Sequence, residues 1–320
     1  MQLNSTRRQL LRTGSGLAAL VAIPGLAHAA SVAGAPTPFL ADKGLPLGMQ
    51  LYTVGDAAAQ DIEGTFARLA AMGYRAVELA GYHGHTPARL RGAADGAGLR
   101  LASIHLSDQL IGRSEDDTRR MAADLAVLGI EDVVLPTFIW PSDIARRDGE
   151  DFAAWLARAV AEKGRALWQD TASLLNARGK ALRAEGLRLA YHNHNAEFGP
   201  VDGTTGWQII LDETDPALVD FEVDAGWVAA AGIDPVAFVS GLKGRVRQMH
   251  VKDIKASTLP NFAFRQDPAE VGLGKIDWPR LLPAAYAAGV RQFYVEQEPP
   301  FTTGRFESLA ISAKNFSTMR

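Results

Sequence analysis

From Leu47 onward the chain alternates short apolar runs with stretches in which apolar residues recur every three or four positions. Short apolar runs bounded by turn residues read as buried strands, and the three-to-four spacing reads as amphipathic helix. Eight strands are expected on this basis, at residues 49–54, 76–80, 99–106, 133–137, 187–192, 218–223, 246–251 and 292–295. Between them, Ile62, Phe66, Leu69 and Ala70 share one helical face, and a helix is expected at 86–97. Ser114, with Asp117 three residues on, caps a helix whose apolar face is Met121, Leu125 and Leu128. Residues 151–185 read as more than one helix, and 206–213 as another. Asp234 followed by Pro235 opens the next. Asp277 caps a helix to Ala288, and 306–316 closes the chain.

Strands alternating with helices imply parallel strands joined by crossover helices, and eight is the number that closes a (β/α)₈ TIM barrel. The competing doubly wound sheet usually carries a glycine-rich turn after its first strand. Here Gly55-Asp56-Ala57 follows Val54, with no glycine run. The Gly272-Leu273-Gly274 pair reads as a turn into the Asp277 cap rather than a nucleotide loop.

Composition narrows the chemistry. The chain has 320 residues, a formal net charge of −3 and no cysteine. A length of 320 allows two domains of average size and also suits one α/β barrel of about 250 residues. Mild acidity gives no support for nucleic acid or an anionic membrane as partner, since such partners select for basic stripes, and no nucleic-acid partner is expected. Without cysteine, any metal must be held by nitrogen and oxygen.

The N-terminus reads as separate from the fold. Arg7-Arg8 precede an apolar stretch from about Gly16 to Leu26, and Ala27-His28-Ala29 supplies a small-x-small cleavage pattern. Residues 1–30 are therefore expected to be a twin-arginine-type bacterial signal, cleaved near Ala29, with the export machinery as a partner in transit. The stretch is shorter than the ~20 residues that span a bilayer, so no stable membrane insertion is expected after cleavage. A periplasmic or otherwise exported location follows. Residues 31–46 read as a linker and 47–320 as the barrel.

In barrels of this kind the active site lies at the C-terminal ends of the strands. Five of the seven histidines fall at or soon after expected strand ends: His83, His105, His192, His194 and His250. Glu78, Glu197, Asp224, Lys252, Glu296 and Glu298 lie in the same places. Taken singly, a polar residue at a strand end usually begins a loop. Glu298, before two prolines, reads as solvent-facing, and Glu222 as part of a polar interface between barrel and helices. Alternation puts His192 with His194 on one face of their strand, and likewise keeps His250 with Lys252 on theirs. Two imidazoles and two carboxylates suit Mn²⁺, Co²⁺, Mg²⁺ or Zn²⁺. Such an ion holds adjacent sugar oxygens and stabilises the enediolate formed when a base removes the proton beside a carbonyl. Lys252 adds positive charge beside the developing oxyanion. Trp140 and Trp227 follow strand ends, where they either stack on a sugar or pack.

The motifs Gln50-Leu51-Tyr52-Thr53-Val54, Tyr191-His192-Asn193-His194 with Glu197-Phe198, Val219 through Asp224, His250-Val251-Lys252-Asp253 and Val295-Glu296-Gln297 resemble the sugar phosphate isomerase/epimerase family. These are xylose isomerase-like TIM barrels, and the resemblance is closest to an exported bacterial branch. It implies one divalent ion held by Asp224, His250 and Glu296. The fourth place, on strand five, carries His192 where the family commonly has glutamate. Either His192 replaces that ligand, or Glu197 or His194 reaches in. Glu197, His194 or Glu296 is then the base, with Lys252 assisting, and Glu78, His105, Trp227 and Tyr52 are expected to touch substrate. The implied activity is isomerisation or epimerisation of a small carbohydrate. The alternatives are lyase or hydrolase chemistry on 3-keto-glycosides and a periplasmic sugar-binding barrel without turnover.

Overall fold

Eight parallel strands close into a barrel, each bonded to its neighbours in sequence and the last to the first. They are β1 (Gly48–Gln50), β2 (Ala76–Ala80), β3 (Arg100–His105), β4 (Asp132–Leu135), β5 (Arg188–His192), β6 (Val219–Asp224), β7 (Val246–Val251) and β8 (Gln292–Val295). The computed structural model of the chain describes residues 37–320 apart from Arg113 and Lys243. The expected signal, and residues 31–36 of the expected linker, lie outside the described residues. Among the described residues no helix is long and apolar enough to cross a membrane.

Outward-facing strand residues such as Val77, Leu79, Val133, Leu189, Phe221, Val223 and Val251 are buried under the helices and form the main apolar core. The inside of the barrel is polar. Asp132 there accepts hydrogen bonds from Arg188 Nε at 2.7 Å and Gln292 Nε2 at 2.9 Å. Register sets up the site: His192 lies beside Glu222, and Asp224 beside His250. Two strand pairs slip in register, β2 with β3 just before Glu78, and β6 with β7 just before Glu222. Such irregularities re-aim side chains.

Seven of the eight strands fall within two residues of their expected bounds; the first does not. Residues 51–54 form a single 3₁₀ turn, because the Gln50 side chain accepts from the Tyr52 backbone N–H at 3.0 Å and folds the chain over. The long helical region is two helices, Phe152–Lys163 and Arg165–Ala184, broken at Gly164 with φ +57°. A short helix, Ala225–Ala230, was not expected; Asp224 caps it through Trp227 N–H at 2.7 Å. Residues 37–46 were expected to be linker, yet Phe39–Lys43 is a helix whose Phe39 ring packs edge-on against Phe293 at 5.7 Å. Gly272 and Gly274 donate backbone N–H groups to the buried Asp253 carboxylate, which also accepts from Trp278 Nε1 at 2.8 Å. That loop is therefore a structural turn.

Gly206, at the start of the helix Gly206–Glu213, lets the chain pass against a tryptophan. A Cβ there would stand 2.4 Å from the Trp168 ring. Gly206→Ala is expected to destabilise the barrel by about 1–3 kcal/mol. Guanidinium unfolding of the two proteins checks this, and an unchanged midpoint would refute the close approach.

Candidate functional site

The C-terminal strand ends bring buried ionisable side chains onto one floor. Glu222 is at its centre, not in the interface expected from sequence. Its Oε2 lies 2.7 Å from His105 Nε2, 3.0 Å from His192 Nδ1 and 3.1 Å from His250 Nε2. Glu78 completes this layer, with Oε1 2.7 Å from His250 Nε2 and 3.1 Å from His105 Nε2, and is steadied by Gln50 Nε2 at 2.8 Å and by Ser103. Above it, His250 Nδ1 meets Glu296 Oε2 at 2.8 Å and stands 3.7 Å from Asp224 Oδ2. Lys252 Nζ lies 2.9 Å from both Asp224 Oδ2 and Glu296 Oε2, and 2.6 Å from Glu298 Oε1.

Donor atoms thus fall into two overlapping groups: His105, His192, Glu222 and His250 below, and Asp224, His250 and Glu296 above. The four ligands expected from sequence are together, but His192 bridges the groups, with Nδ1 on Glu222 and Nε2 3.9 Å from Asp224 Oδ2. His250 belongs to both.

Charge is distributed unevenly on this floor. Burial opposes the charged form of His105, but Glu78 and Glu222 outweigh it and lift the imidazole to about 9. Against the same burial, Glu222 and Glu296 hold His250 well up, and Asp224, Glu296 and Glu298 do so for Lys252. Burial pushes His192 well down and His194 to about 3, helped by neighbouring positive charge, so both are neutral imidazoles. Glu296 is buried, yet Lys252 and His250 keep its carboxyl below the usual range. Burial raises Glu298, with Lys252 pulling the other way.

A cavity of about 550 Å³ opens on this floor. His105, His192, His194, Glu296 and Glu298 line its base, and Tyr52 stands at its wall, where substrate contact was expected. Glu298, read from sequence as solvent-facing, is therefore a site residue. Its alternation with Glu296 across Gln297 was the available signal. Six expected residues do not line the cavity: Asp224, His250, Lys252 and Glu78, the last expected to touch substrate, are fully buried within the floor, and Trp227 and Glu197 stand behind it. Trp227 is buried with its ring 5.0 Å from Lys252 Nζ and 5.4 Å from His194, so it supports those two side chains instead of stacking on substrate. Glu197 is fully buried behind β5, where Oε1 accepts from Tyr191 Oη at 2.7 Å and His194 N–H at 3.0 Å. It fixes the turn after β5 and stands away from the proton-transfer position expected of it.

Burial raises the Glu197 carboxyl to about 7. An unfolded glutamate titrates near ~4.3, so between these values the folded chain keeps a proton the unfolded chain has lost. Stability from this group is therefore complete at low pH and falls as pH rises towards 7. Glu197→Gln keeps both acceptor contacts and removes the titration. It is expected to be more stable than the parent by about 2–3 kcal/mol at pH 8, with the gap closing at pH 4. Unfolding curves of both proteins at the two pH values test this; a constant gap would contradict it.

A closed (β/α)₈ barrel with imidazoles and carboxylates gathered at its strand ends defines a class of barrel enzymes. Residues 66–304 match one family in it, and the chain belongs to the xylose isomerase-like TIM barrels. An inosose dehydratase of Bacillus anthracis is 33% identical over 88 residues, which is 28% of this chain and 29% of that protein. One from Clostridium tetani is 31% identical over the same length. The chain thus spans under a third of these relatives. A sugar phosphate isomerase/epimerase structure from Parabacteroides distasonis superposes with a TM-score of 0.68 at 24% identity, covering 92% of this chain and 98% of that one. An L-ribulose 3-epimerase superposes at 0.54 with 15% identity, covering 85% and 93%. These last two likenesses show the fold.

Proposed function

We propose that this protein enolises a small polyhydroxy ketone or aldehyde, acting as a metal-dependent sugar isomerase or epimerase. The observation that carries the reading is the upper donor group: Asp224 and Glu296 converge on one cation, the Lys252 ammonium, at 2.9 Å each, beside His250. Two carboxylates, an imidazole and the adjacent His192 make a nitrogen and oxygen set that fits Mn²⁺, Co²⁺, Mg²⁺ or Zn²⁺. A divalent ion there supplies Lewis acidity to a substrate carbonyl and its neighbouring hydroxyl.

The chain's own residues do the rest. With Asp224, His250, Glu296 and His192 engaged, Glu298 is the carboxylate left facing the cavity, and its raised carboxyl suits it to take a proton from carbon. His194, two residues beyond the end of β5, is the second side chain facing the cavity that can carry a proton. Two carriers from different strands are what exchange on both faces of a planar enediolate requires. Lys252 Nζ offers its charge to the developing oxyanion. Incubating metal-loaded protein with keto-sugars in deuterated water tests the proposal. Incorporation beside the carbonyl supports it, and no exchange into any of them sinks it. Saturable binding with no exchange would mark a carbohydrate-binding barrel.

A second reading is favoured by the dehydratase relatives: the same proton removal followed by loss of a group across the bond, as water or as the aglycone of a 3-keto-glycoside. Release of either, without an epimeric product, distinguishes it. We place the activity outside the cytoplasm on the strength of Arg7-Arg8. Retention of an Arg7→Lys/Arg8→Lys double variant in the cytoplasmic fraction tests that, and normal export would refute it.

A further inference from the structure

The cavity has two chemically different halves. Its base is the charged floor already described. Its upper wall is apolar: Tyr52, Leu110, Pro136, Trp140, Phe152 and Phe264. Three of the seven exposed large apolar residues among the described residues lie on this one wall, Leu110 at 57%, Tyr52 at 53% and Phe152 at 45%. Exposed apolar side chains gathered at a cavity mark a binding surface, whereas scattered ones need no explanation. Their arrangement is ordered. Trp140 stacks on Phe152 at 5.9 Å and on Phe138 at 6.1 Å, each with rings within 15° of parallel. Trp155 packs behind Trp140 at 5.6 Å and is pinned by its Nε1 donating to Ile144 O at 2.8 Å. Arg265, beside Phe264, binds Asp151, beside Phe152, at 3.1 Å, which ties the two sides of the wall together.

Size and charge point the same way. A volume of about 550 Å³ exceeds what one monosaccharide fills and lies within the ~300–1,000 Å³ of sites for larger ligands. Among the described residues lining the cavity there is no lysine or arginine, while Glu296 and Glu298 both are there. A phosphate on this wall would find no lysine or arginine to receive it, and the cations of the floor, His105 and Lys252, are already held by carboxylates.

We propose that this wall is a subsite for a flat, uncharged ring attached to the reacting sugar, so that the substrate is a glycoside and not a sugar phosphate. The proposal rests on the reading that the floor holds the reacting sugar. The shared chemistry is a planar apolar face on an aromatic platform, which an aryl aglycone or the face of a second pyranose supplies.

The test is binding, followed by calorimetry and tryptophan fluorescence, of 4-nitrophenyl β-glucoside, cellobiose, glucose and glucose 6-phosphate to the whole mature protein. At least one of the two glycosides is expected to bind about tenfold more tightly than glucose, and glucose 6-phosphate more weakly than glucose. Whichever glycoside leads identifies the ring. Phe152→Ala and, as an independent surface change, Leu110→Asp are expected to shrink the glycoside-to-glucose ratio to below about threefold. Equal affinities for glycosides and glucose, tighter binding of the phosphate, or no saturable glycoside binding overturns the proposal. A glycoside preference in a protein that exchanges no substrate proton would leave the subsite standing and remove only the enolisation reading.

Discussion

His250→Ala protein, purified without added metal, is expected to carry less than ~0.1 divalent ion per chain where the parent carries about one, and to lose proton exchange by ~10²–10³-fold or more. The expectation follows from the position of one imidazole. His250 Nδ1 faces Glu296 and Asp224, and Nε2 faces Glu78 and Glu222, so it is the one side chain common to both donor groups. Its removal disables an ion in either place. It also leaves three buried glutamates without their shared positive partner, which costs about 3–5 kcal/mol. The variant should therefore melt lower, and ion content has to be read on protein shown to be folded. Elemental analysis of both proteins settles the matter. An ion retained at full stoichiometry in the variant would disprove a site built on His250. No ion in the parent, even after Mn²⁺, Co²⁺ or Zn²⁺ is offered, would leave the Lys252 ammonium as the cation shared by Asp224 and Glu296.

Most of the barrel was legible because strand and helix periods are local properties. β2, β7 and β8 begin and end where the apolar runs do. β1 was overextended because Leu51 and Val54 are as apolar as strand residues; what ends the strand is a single side-chain bond from Gln50 to the backbone of Tyr52. The ligand candidates were legible for the same reason, since each closes a strand. Glu222 was not. Alternation puts it on the inner face with Asp224, opposite the outward Phe221 and Val223, but which imidazoles it meets depends on how β5, β6 and β7 pair. Glu197 was misread in the opposite sense. It is close in sequence to His192 and His194, but its partner is the hydroxyl of Tyr191, which points outward from β5 with Leu189. The aromatic wall was half legible. Trp140 was visible as a residue after a strand, whereas Phe152 comes to it from a helix start twelve positions on.

Lys252→Met should destabilise the ion-free protein strongly and make it bind a divalent ion more tightly. The ammonium is fully buried and compensates Asp224, Glu296 and Glu298 at 2.9, 2.9 and 2.6 Å. Methionine fills the same space without the charge, so the three carboxylates face one another. Removing one partner of a buried pair costs about 3–5 kcal/mol, which in a barrel of this size lowers the melting temperature by roughly 10 °C. The loss should ease on acidification. Without Lys252 the Glu298 carboxyl, already raised by burial, rises further, and Glu296 loses one of the two charges that hold it down, so the folded chain takes up a proton first at Glu298 and regains stability as pH falls. A divalent ion relieves the same repulsion. In the parent it must displace the ammonium from Asp224 and Glu296; in the variant that opposition is gone, and affinity should rise by about tenfold or more. Turnover should nevertheless fall, because the charge that meets the oxyanion is lost. Melting curves of both proteins across a metal titration read all of this. An ion that binds Lys252→Met no better than the parent would mean that ammonium and ion do not share these carboxylates. The ion would then belong to the lower group, on His105, His192, Glu222 and His250, where Glu222 Oε2 already has three imidazole nitrogens within 3.1 Å.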